Sequence, residues 1–380
     1  MTDGIKILQS VFGPRDFVPD IQVDGEKCAA RRHKRSGCRL CVDICPRGAI
    51  SLVERMPEVD HDACTHCGAC VTACPTQAIE SAWLPWKNLV RDALHAVRAG
   101  DGVVRLSCEG NPGSDGDIAS RRGECMVPCL ERVDEALLLS MAAAGARRIE
   151  LETAGCSSCE VGCKGAVWSL VAEQVTGMLR AVDSEAEVVT RERAVEPEPA
   201  DSIGVSRRDA ITGVGESAMR VVGDIAEELV RESRYGQLAE ALGLFGEDSP
   251  IDHATRGRMC AWALETVVLR SAGGNAREAL DRFGGKRVTT RVFGEPVFDS
   301  EKCTNCFLCT AYCREHAIEK LKEGPRVKGF RITPLLCNGC GLCVDVCRPG
   351  ALAIGHNVRI ADILQESSSD ILYEDWDRKR

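Results

Sequence analysis

The 23 cysteines of this chain are grouped at close, repeated spacings that could hold metal. Four segments share one pattern, in which a C-x2-C step is followed by one or two further cysteines and then by Ala-Ile or Ala-Leu. They begin at Cys38, Cys64, Cys303 and Cys337. A C-x2-C-x2-C loop can hold three corners of a [4Fe–4S] cube, and a fourth thiolate then comes from elsewhere. Zinc sites more often use two C-x2-C pairs. The spacing therefore predicts iron–sulfur clusters, in one pair near each end of the chain.

Both end regions resemble the bacterial two-cluster ferredoxins, in which the fourth cysteine of each run serves the other cluster. The N-terminal runs keep the proline that follows the last cysteine, as Pro46 and Pro75. The resemblance implies four sets of ligands: Cys303, Cys306 and Cys309 with Cys347; Cys337, Cys340 and Cys343 with Cys313; Cys64, Cys67 and Cys70 with Cys45; and Cys38, Cys41 and Cys74 with one further ligand.

The first run departs from the ferredoxin pattern, because Arg35 stands where a cysteine is expected. Cys28 lies ten residues before Cys38, after an approach (VDGEKC) that is similar to those before the other runs. We interpret AARRHKRSG as an insertion and Cys28 as the missing ligand; the alternative is a cluster with three cysteines. The consecutive basic residues of the insertion, Arg31 to Arg35, allow three interpretations. They are a solvated loop, a docking patch for an acidic partner, or a positive field that raises the potential of the nearby cluster.

Six further cysteines lie in the middle of the chain: Cys108, Cys125, Cys129, Cys156, Cys159 and Cys163. DGVVRLSC and RRIELETAGC predict strands, AEVVTRERAV a possible third strand, and LERVDEALLLSMAAAGA and KGAVWSLVAEQVTGMLRAV predict helices. Alternating strands and helices predict a parallel α/β unit. All six cysteines fall at predicted loop positions, and the carboxyl ends of parallel strands share one edge. We therefore expect these thiols to converge on a further metal site.

The middle segment, VPCLERVDEALLLSMAAAGARRIELETAGCSSCEVGC, resembles the iron–sulfur delta subunit of methyl-viologen-reducing hydrogenases. That resemblance implies a [2Fe–2S] cluster that passes electrons to flavoproteins of the heterodisulfide-reductase type. It matches Cys129 and Cys156 and also fits Cys108 and Cys125, whereas Cys159 and Cys163 compete for the last position. Six thiols leave the cluster type open between [2Fe–2S] and [4Fe–4S]. Two alternatives are a reactive C-x2-C dithiol at Cys156 and Cys159 and a zinc site.

These elements predict a multidomain protein of the α+β and α/β classes. Two ferredoxin-like modules would flank a small parallel α/β domain and a helical segment. The expected boundaries are 1–85 for the first module, 86–196 for the α/β iron–sulfur domain, 197–290 for a linker and helical segment, 291–356 for the second module and 357–380 for a tail. Cys260 stands alone on a helical pattern and is expected to be a core residue.

Composition narrows the functional classes. A net charge of −9 argues against general nucleic-acid binding, which normally needs a basic face. The sequence shows no signal peptide and no apolar run long enough to span a membrane, so we expect a cytoplasmic protein. It contains no Gly-rich nucleotide fingerprint and no Ser/His/Asp arrangement, so a flavin or nicotinamide site would belong to another chain.

We therefore expect a non-catalytic iron–sulfur electron-transfer subunit of a cytoplasmic oxidoreductase, with four [4Fe–4S] clusters and one further cluster. Its expected partner subunits are a flavoprotein, a hydrogenase, a formate dehydrogenase or a heterodisulfide-reductase-like protein. One alternative is an enzyme that reduces a disulfide or sulfur compound at the middle cysteines. Another is a free, soluble polyferredoxin.

Overall fold

The computed structural model describes residues 20–108, 123–153, 156, 159, 161, 167–192, 253–365 and 368–372. Cys163, the expected linker and helical segment before residue 253, and residues 373–380 lie outside these described residues. Within the described part, no helix has the length and apolar character needed to cross a membrane.

The N-terminal module consists of short antiparallel strand pairs and helices of about one turn. Its elements are β1 (Ile21–Val23), α1 (Ala29–Arg32), α2 (Leu40–Ile44), β2 (Ile50–Val53), β3 (Met56–Val59), α3 (Ala69–Ala73) and β4 (Ile79–Ser81). β1 pairs with β4, and β2 with β3. Glu54 and Arg55 join β2 to β3, and both have positive φ, which matches the twist of a two-residue hairpin. The insertion after Cys28 begins as helix α1.

The middle of the chain forms a four-stranded parallel sheet covered by helices. Its elements are α4 (Trp86–Ala99), β5 (Val103–Cys108), β6 (Glu124–Val127), a 3₁₀ turn (Leu130–Arg132), α5 (Glu135–Ala143), β7 (Arg148–Thr153), α6 (Trp168–Ala181), β8 (Glu187–Glu192), α7 (His253–Ser271) and α8 (Ala276–Phe283). The strand order is β6-β5-β7-β8. β6 lies on one side of β5, and β7 and β8 lie on the other side. The chain therefore crosses β5 on its way from β6 to β7, and the strand order reverses between β5 and β7.

Helix α5 is buried on every side, because α4, α6 and α7 all pack against it. Apart from Glu135 and Ser140, its sequence EALLLSMAA is accordingly apolar on every side rather than along one stripe. Asp134 caps the helix by accepting from the amide of Leu137 at 2.8 Å. The same carboxylate accepts from Nε1 of Trp86 at 2.8 Å and lies 3.3 Å from Nε of Arg256. One buried carboxylate thus ties α4, α5 and α7 together.

The C-terminal module repeats the plan of the N-terminal one. Its elements are β9 (Arg287–Thr289), β10 (Glu295–Phe298), α9 (Leu308–Tyr312), β11 (Ile318–Glu323), β12 (Arg326–Ile332), a 3₁₀ turn (Pro334–Leu336), α10 (Leu342–Val346), β13 (Leu352–Gly355), β14 (Asn357–Arg359), α11 (Ile360–Leu364) and β15 (Ser369–Leu372). β10 pairs with β13 as the outer pair, and β11 with β12 as the hairpin.

Two expectations from the sequence differ from the structure. Residues 357–365 and 368–372, expected to belong to a tail, contain regular secondary structure instead: β14 pairs with β9, and β15 adds a third strand to the β11–β12 hairpin. Cys125, expected in a loop, lies inside β6 with only 3% of its surface exposed. The pattern missed β6 because this strand has four residues, too few to show a clear alternation.

Candidate metal centres

The Cys309 set comprises four thiols that line one cavity of about 310 Å³: Cys303, Cys306, Cys309 and Cys347. The loop before α9 supplies Cys303 and Cys306, α9 itself supplies Cys309, and the residue after α10 supplies the fourth, Cys347. The second repeat therefore completes the set of the first. Phe298, Phe307 and Phe330 close the apolar side of this cavity. The ring of Phe330 lies 5.4 Å from that of Phe298 and 5.7 Å from that of Phe307, between centroids.

The Cys343 set comprises four thiols that line a second cavity of about 400 Å³: Cys313, Cys337, Cys340 and Cys343. Here the first repeat supplies the fourth thiol. Burial raises the pKa of Cys337 to about 12 and that of Cys340 to about 11. Gly294 lets the chain approach this set closely, because a Cβ there would lie 2.8 Å from Sγ of Cys337. Side chains larger than glycine would therefore displace a thiol.

The Cys41 set comprises four cysteines of the N-terminal module: Cys28, Cys38, Cys41 and Cys74. Burial raises the pKa of Cys41 to about 12, and the neighbouring Cys74, Cys38 and Cys28 thiols raise it further. Cys28 is 6% exposed and shares a core with Cys41 and Cys74. The structure thus brings Cys28 to the position expected for the missing fourth cysteine, on the far side of the insertion.

The Cys70 set comprises the remaining cysteines of that module: Cys45, Cys64, Cys67 and Cys70. Burial raises the pKa of Cys70, and Cys67, Cys64 and Cys45 add to that rise. Burial likewise raises the pKa of Cys64, with further contributions from Cys67 and Cys45. With their pKa values raised, Cys64 and Cys70 are neutral thiols in the absence of metal, so a bound cation must displace their protons.

Backbone amides donate to the crossed-over sulfurs in a repeated way. The amide four residues after the last cysteine of a run points at its Sγ: Ala49 at Cys45 (3.3 Å), Ala78 at Cys74 (3.3 Å) and Ala351 at Cys347 (3.2 Å). Amide donors on sulfur are one means by which proteins set cluster potentials. Thiols from both repeats, apolar walls and amide donors together fit [4Fe–4S] cubes.

The Cys70 set adjoins the α/β domain through a buried arginine. Arg132 is wholly buried, and its Nη2 donates to the carbonyl of Leu84 at 2.7 Å. A Cβ at Gly68, in the loop of this set, would lie 2.0 Å from Cδ of Arg132. Burial and the nearby charge of Arg256 lower the pKa of Arg132, and the negative charges of Asp134 and Asp20 oppose that shift. Sequence reasoning missed this residue. Its only signal was a charge in the short stretch before a mostly apolar helix.

The middle cysteines divide into two groups in space. Cys108 ends β5, Cys129 follows β6, and Cys156 and Cys159 follow β7, so four thiols lie at the carboxyl ends of three adjacent strands. The reversal of strand order between β5 and β7 is where open α/β sheets place ligands. Cys125 instead pairs in register with Leu106, two residues inside that edge. Burial raises its pKa to about 12.

The edge of the sheet also touches the N-terminal module. Oγ1 of Thr65, within the loop of the Cys70 set, donates to the carbonyl of Val161 at 3.2 Å. Val161 lies two residues beyond Cys159. The loop that carries Cys156 and Cys159 therefore contacts the loop that carries Cys64 and Cys67.

A single metal ion does not fit the described residues. Among them, no three His, Cys, Asp or Glu side chains come close enough to hold one ion. In a cube each thiolate binds a different iron atom, so the ligands of a cluster lie further apart than those of one zinc ion.

The fold and these thiol sets define a ferredoxin-type iron–sulfur protein with a dicluster module at each end. The family described as "4Fe-4S dicluster domain" matches residues 34–78 and 302–351. This confirms the ferredoxin resemblance at both ends and indicates [4Fe–4S] clusters there. The comparison leaves the hydrogenase delta-subunit resemblance of the middle domain as a hypothesis.

Relatives with known names match parts of the chain. It is 52% identical over 44 residues to a subunit of the ion-translocating oxidoreductase complex of Methanosarcina acetivorans, covering 12% of this chain and 17% of that protein. It is 42% identical over 57 residues to the pyruvate synthase subunit PorD of Thermotoga maritima, covering 15% and 54%. It is 36% identical over 67 residues to the PorD subunit of Methanocaldococcus jannaschii, covering 18% and 72%.

The chain therefore belongs to the [4Fe–4S] dicluster ferredoxin family. It spans about half of the Thermotoga relative and about a sixth of the Methanosarcina relative. No solved structure matches the chain significantly.

Proposed function

We propose that this protein is an iron–sulfur electron-transfer subunit of a cytoplasmic oxidoreductase with several subunits. It would hold four [4Fe–4S] clusters, one in each of the Cys41, Cys70, Cys309 and Cys343 sets. The observation that carries the proposal is the pair of cavities in the C-terminal module. Each cavity collects four thiols, three from one repeat and one from the other, as two-cluster ferredoxins require.

When bound, such clusters take up and release one electron at a time. The chain's own groups hold and tune them. Phenylalanine rings line one wall of the Cys309 set, amides donate to the crossed-over sulfurs, and Arg132 places positive charge beside Cys70. No group here has to act as nucleophile or base, so the thiols serve as ligands rather than as catalysts.

The middle domain would hold one further cluster, [2Fe–2S] or [4Fe–4S], at the carboxyl edge of the sheet. Cys108, Cys129, Cys156 and Cys159 are the described thiols with this position, and Cys163 remains a candidate by sequence. The resemblance to the hydrogenase delta subunit supports this assignment. The position of Cys125 inside a strand makes it the weakest of the six candidates.

The names of the relatives indicate what kind of partner subunit this protein would have. Their names describe one subunit of an oxidoreductase complex and one subunit of pyruvate synthase. A similar role here implies a partner that supplies or accepts electrons, such as a flavoprotein, a hydrogenase, a formate dehydrogenase or a heterodisulfide-reductase-like subunit. The helices α7 and α8 pack onto the chain's own α/β domain. They therefore do not by themselves argue against a free polyferredoxin.

The dithiol alternative finds less support. Reactive C-x2-C pairs sit at a helix N-terminus that lowers a thiol pKa, whereas the first described helix after Cys159 begins at Trp168. Alkylation of Cys156 or Cys159 in the metal-loaded protein would favour that alternative.

Iron and sulfide analysis of anaerobically purified protein, with EPR, tests the proposal. Four cubes give about 16 iron atoms per chain, and a middle cluster adds a surplus. Cys156→Ser should remove the surplus alone, whereas the control Cys260→Ala, a fully buried thiol away from every set, should retain it. Iron near zero would refute the main proposal, and 16 without surplus would refute the middle cluster.

A further inference from the structure

The basic insertion of the N-terminal module is folded onto its own module. Ala29 and Ala30 of α1 are buried. Arg55, from the hairpin turn, donates from Nε to the carbonyl of Ala30 at 2.9 Å and from Nη2 to that of Ser36 at 2.6 Å. One arginine thus clasps both ends of the insertion, so its position relative to the Cys41 set is fixed.

The same insertion reaches the C-terminal module at three points. Nη2 of Arg32 donates to the carbonyl of Tyr312 at 2.7 Å, and the ring of His33 meets that of Tyr312 edge-on at 4.7 Å. The amide of Gly37 donates to Oδ2 of Asp345 at 2.9 Å. Tyr312 ends α9 and Asp345 lies in α10, the helices that carry cysteines of the C-terminal module.

Arg32 also lines the cavity of the Cys343 set, together with all four thiols of that set. Its hydrogen bond to a neutral carbonyl orients the guanidinium without cancelling its charge. Gly37, which bonds to Asp345, directly precedes Cys38 of the Cys41 set, and Asp345 lies two residues after Cys343. The Cys41 and Cys343 sets therefore face each other across the insertion.

We propose that the insertion is a built-in joint that makes the two ferredoxin modules one electron-transfer unit, with Arg32 as a positioning residue that supplies positive charge to the Cys343 set of the other module. This rests on the proposed function. One electron given up by one module is taken up by the other, and no bond forms or breaks. The first electron comes from a low-potential one-electron donor on a partner subunit.

Arg32→Ala in the full-length, metal-loaded protein tests the charge. Positive charge favours the reduced, more negative cluster. Its removal should therefore shift one [4Fe–4S] potential to a more negative value. We expect about a tenfold change in the reduction equilibrium, about 59 mV for one electron, in an EPR-monitored redox titration. Arg32→Lys should restore most of the shift. The control is Arg35→Ala, which changes an exposed charge in the same insertion and should leave every potential unchanged.

A second readout tests the joint without relying on potentials. In the wild-type protein, residues 29–37 and 308–313 should be protected together from hydrogen exchange, and the reduced protein should show magnetic coupling between clusters of the two modules. The double change Arg32→Ala with Asp345→Ala should weaken both signals while the iron content stays equal to that of the wild-type protein. Full iron with unchanged potentials, exchange and coupling would overturn the joint but leave the proposed function standing. Absence of iron from the wild-type protein would overturn both.

Discussion

In the N-terminal module, four of the ten buried side chains of the core are thiols, whereas the core of the α/β domain is mainly Leu, Val and Ala. The C-terminal module has a still smaller core of Cys309, Ile318, Phe330 and Leu352. Small domains with thin cores depend on metal or other cross-links for their stability. We therefore expect the two ferredoxin modules to need their clusters for stability, whereas the α/β domain is stable through its own hydrophobic core. Cys67 and Ala69 of the N-terminal module pack into the core of the α/β domain, so this module is attached to that domain.

Removing iron should have the largest effect on stability, and it should unfold the ferredoxin modules while the α/β domain stays folded. After chelation, we expect the β2–β3 and β11–β12 hairpins to lose hydrogen-exchange protection, because four neutral thiols cannot replace a bonded cluster. Strands β5 and β7 should keep their protection. Exchange measured by mass spectrometry on metal-loaded, stripped and reconstituted protein gives the comparison. Unfolding of all regions together would contradict it.

The predictions made from the sequence also differ between the ferredoxin modules and the α/β domain. The spacing within each cysteine run is local, and the resemblance to two-cluster ferredoxins implies which runs share thiols, so the grouping of the thiols in space followed from the sequence. That these groups, including Cys28, are the cluster ligands stays a prediction. The α/β domain depends on contacts between distant segments, and there prediction failed in part. Strand β6 was too short to show a period, and Cys125 was placed in a loop. Arg132 was missed because its role depends on Gly68 and Cys70, which are more than 60 residues away in sequence.

Leu138→Ala in α5 should destabilise the α/β domain by about 2–5 kcal/mol, since it opens a cavity in a fully buried helix. The roughly 16 iron atoms of the four ferredoxin clusters should be retained. The control is Leu170→Ala on α6, where the side chain is 39% exposed and a change within about 0.5 kcal/mol is expected. Denaturant titration followed by exchange of β5 and β7 amides measures both. Equal effects of the two variants would show that α5 is not the centre of this core.

Thiol reactivity should separate the two kinds of fold after iron is removed. Burial raises the pKa of Cys125 to about 12, so at pH 8 only about one molecule in ten thousand carries the reactive thiolate. The ferredoxin modules should lose their packing when iron is removed, and Cys41 and Cys70 then lose the burial that raises their pKa values. We therefore expect iodoacetamide to label Cys41 and Cys70 of the stripped protein quickly and Cys125 very slowly. The labelling rate of Cys125 should rise about tenfold per pH unit.

Because folding raises the pKa of Cys125, the contribution of this thiol to the stability of the folded protein is complete below about pH 8.5 and is lost as the pH rises towards 12. Fast labelling of Cys125 at pH 8 would mean that the sheet has opened.

The smallest effect is expected at the third strand of the C-terminal hairpin. Arg331 holds Asp370 through two hydrogen bonds of 2.9 and 3.0 Å, and these bonds lower the pKa of Asp370. A lowered carboxyl pKa means that the pair contributes at neutral pH and is lost only as the pH falls below about 4. Asp370→Asn should therefore slightly reduce the protection of β12 amides at pH 7, since exposed ion pairs are weak. Asp281→Asn, on the exposed side of α8, is the control and should leave the exchange protection of the β12 amides unchanged.

A loss of iron from the Cys309 set in Asp370→Asn would be more informative than a small change in exchange. It would show that β15 supports the metal-binding hairpin, and that the region expected to be a tail contributes to holding the cluster.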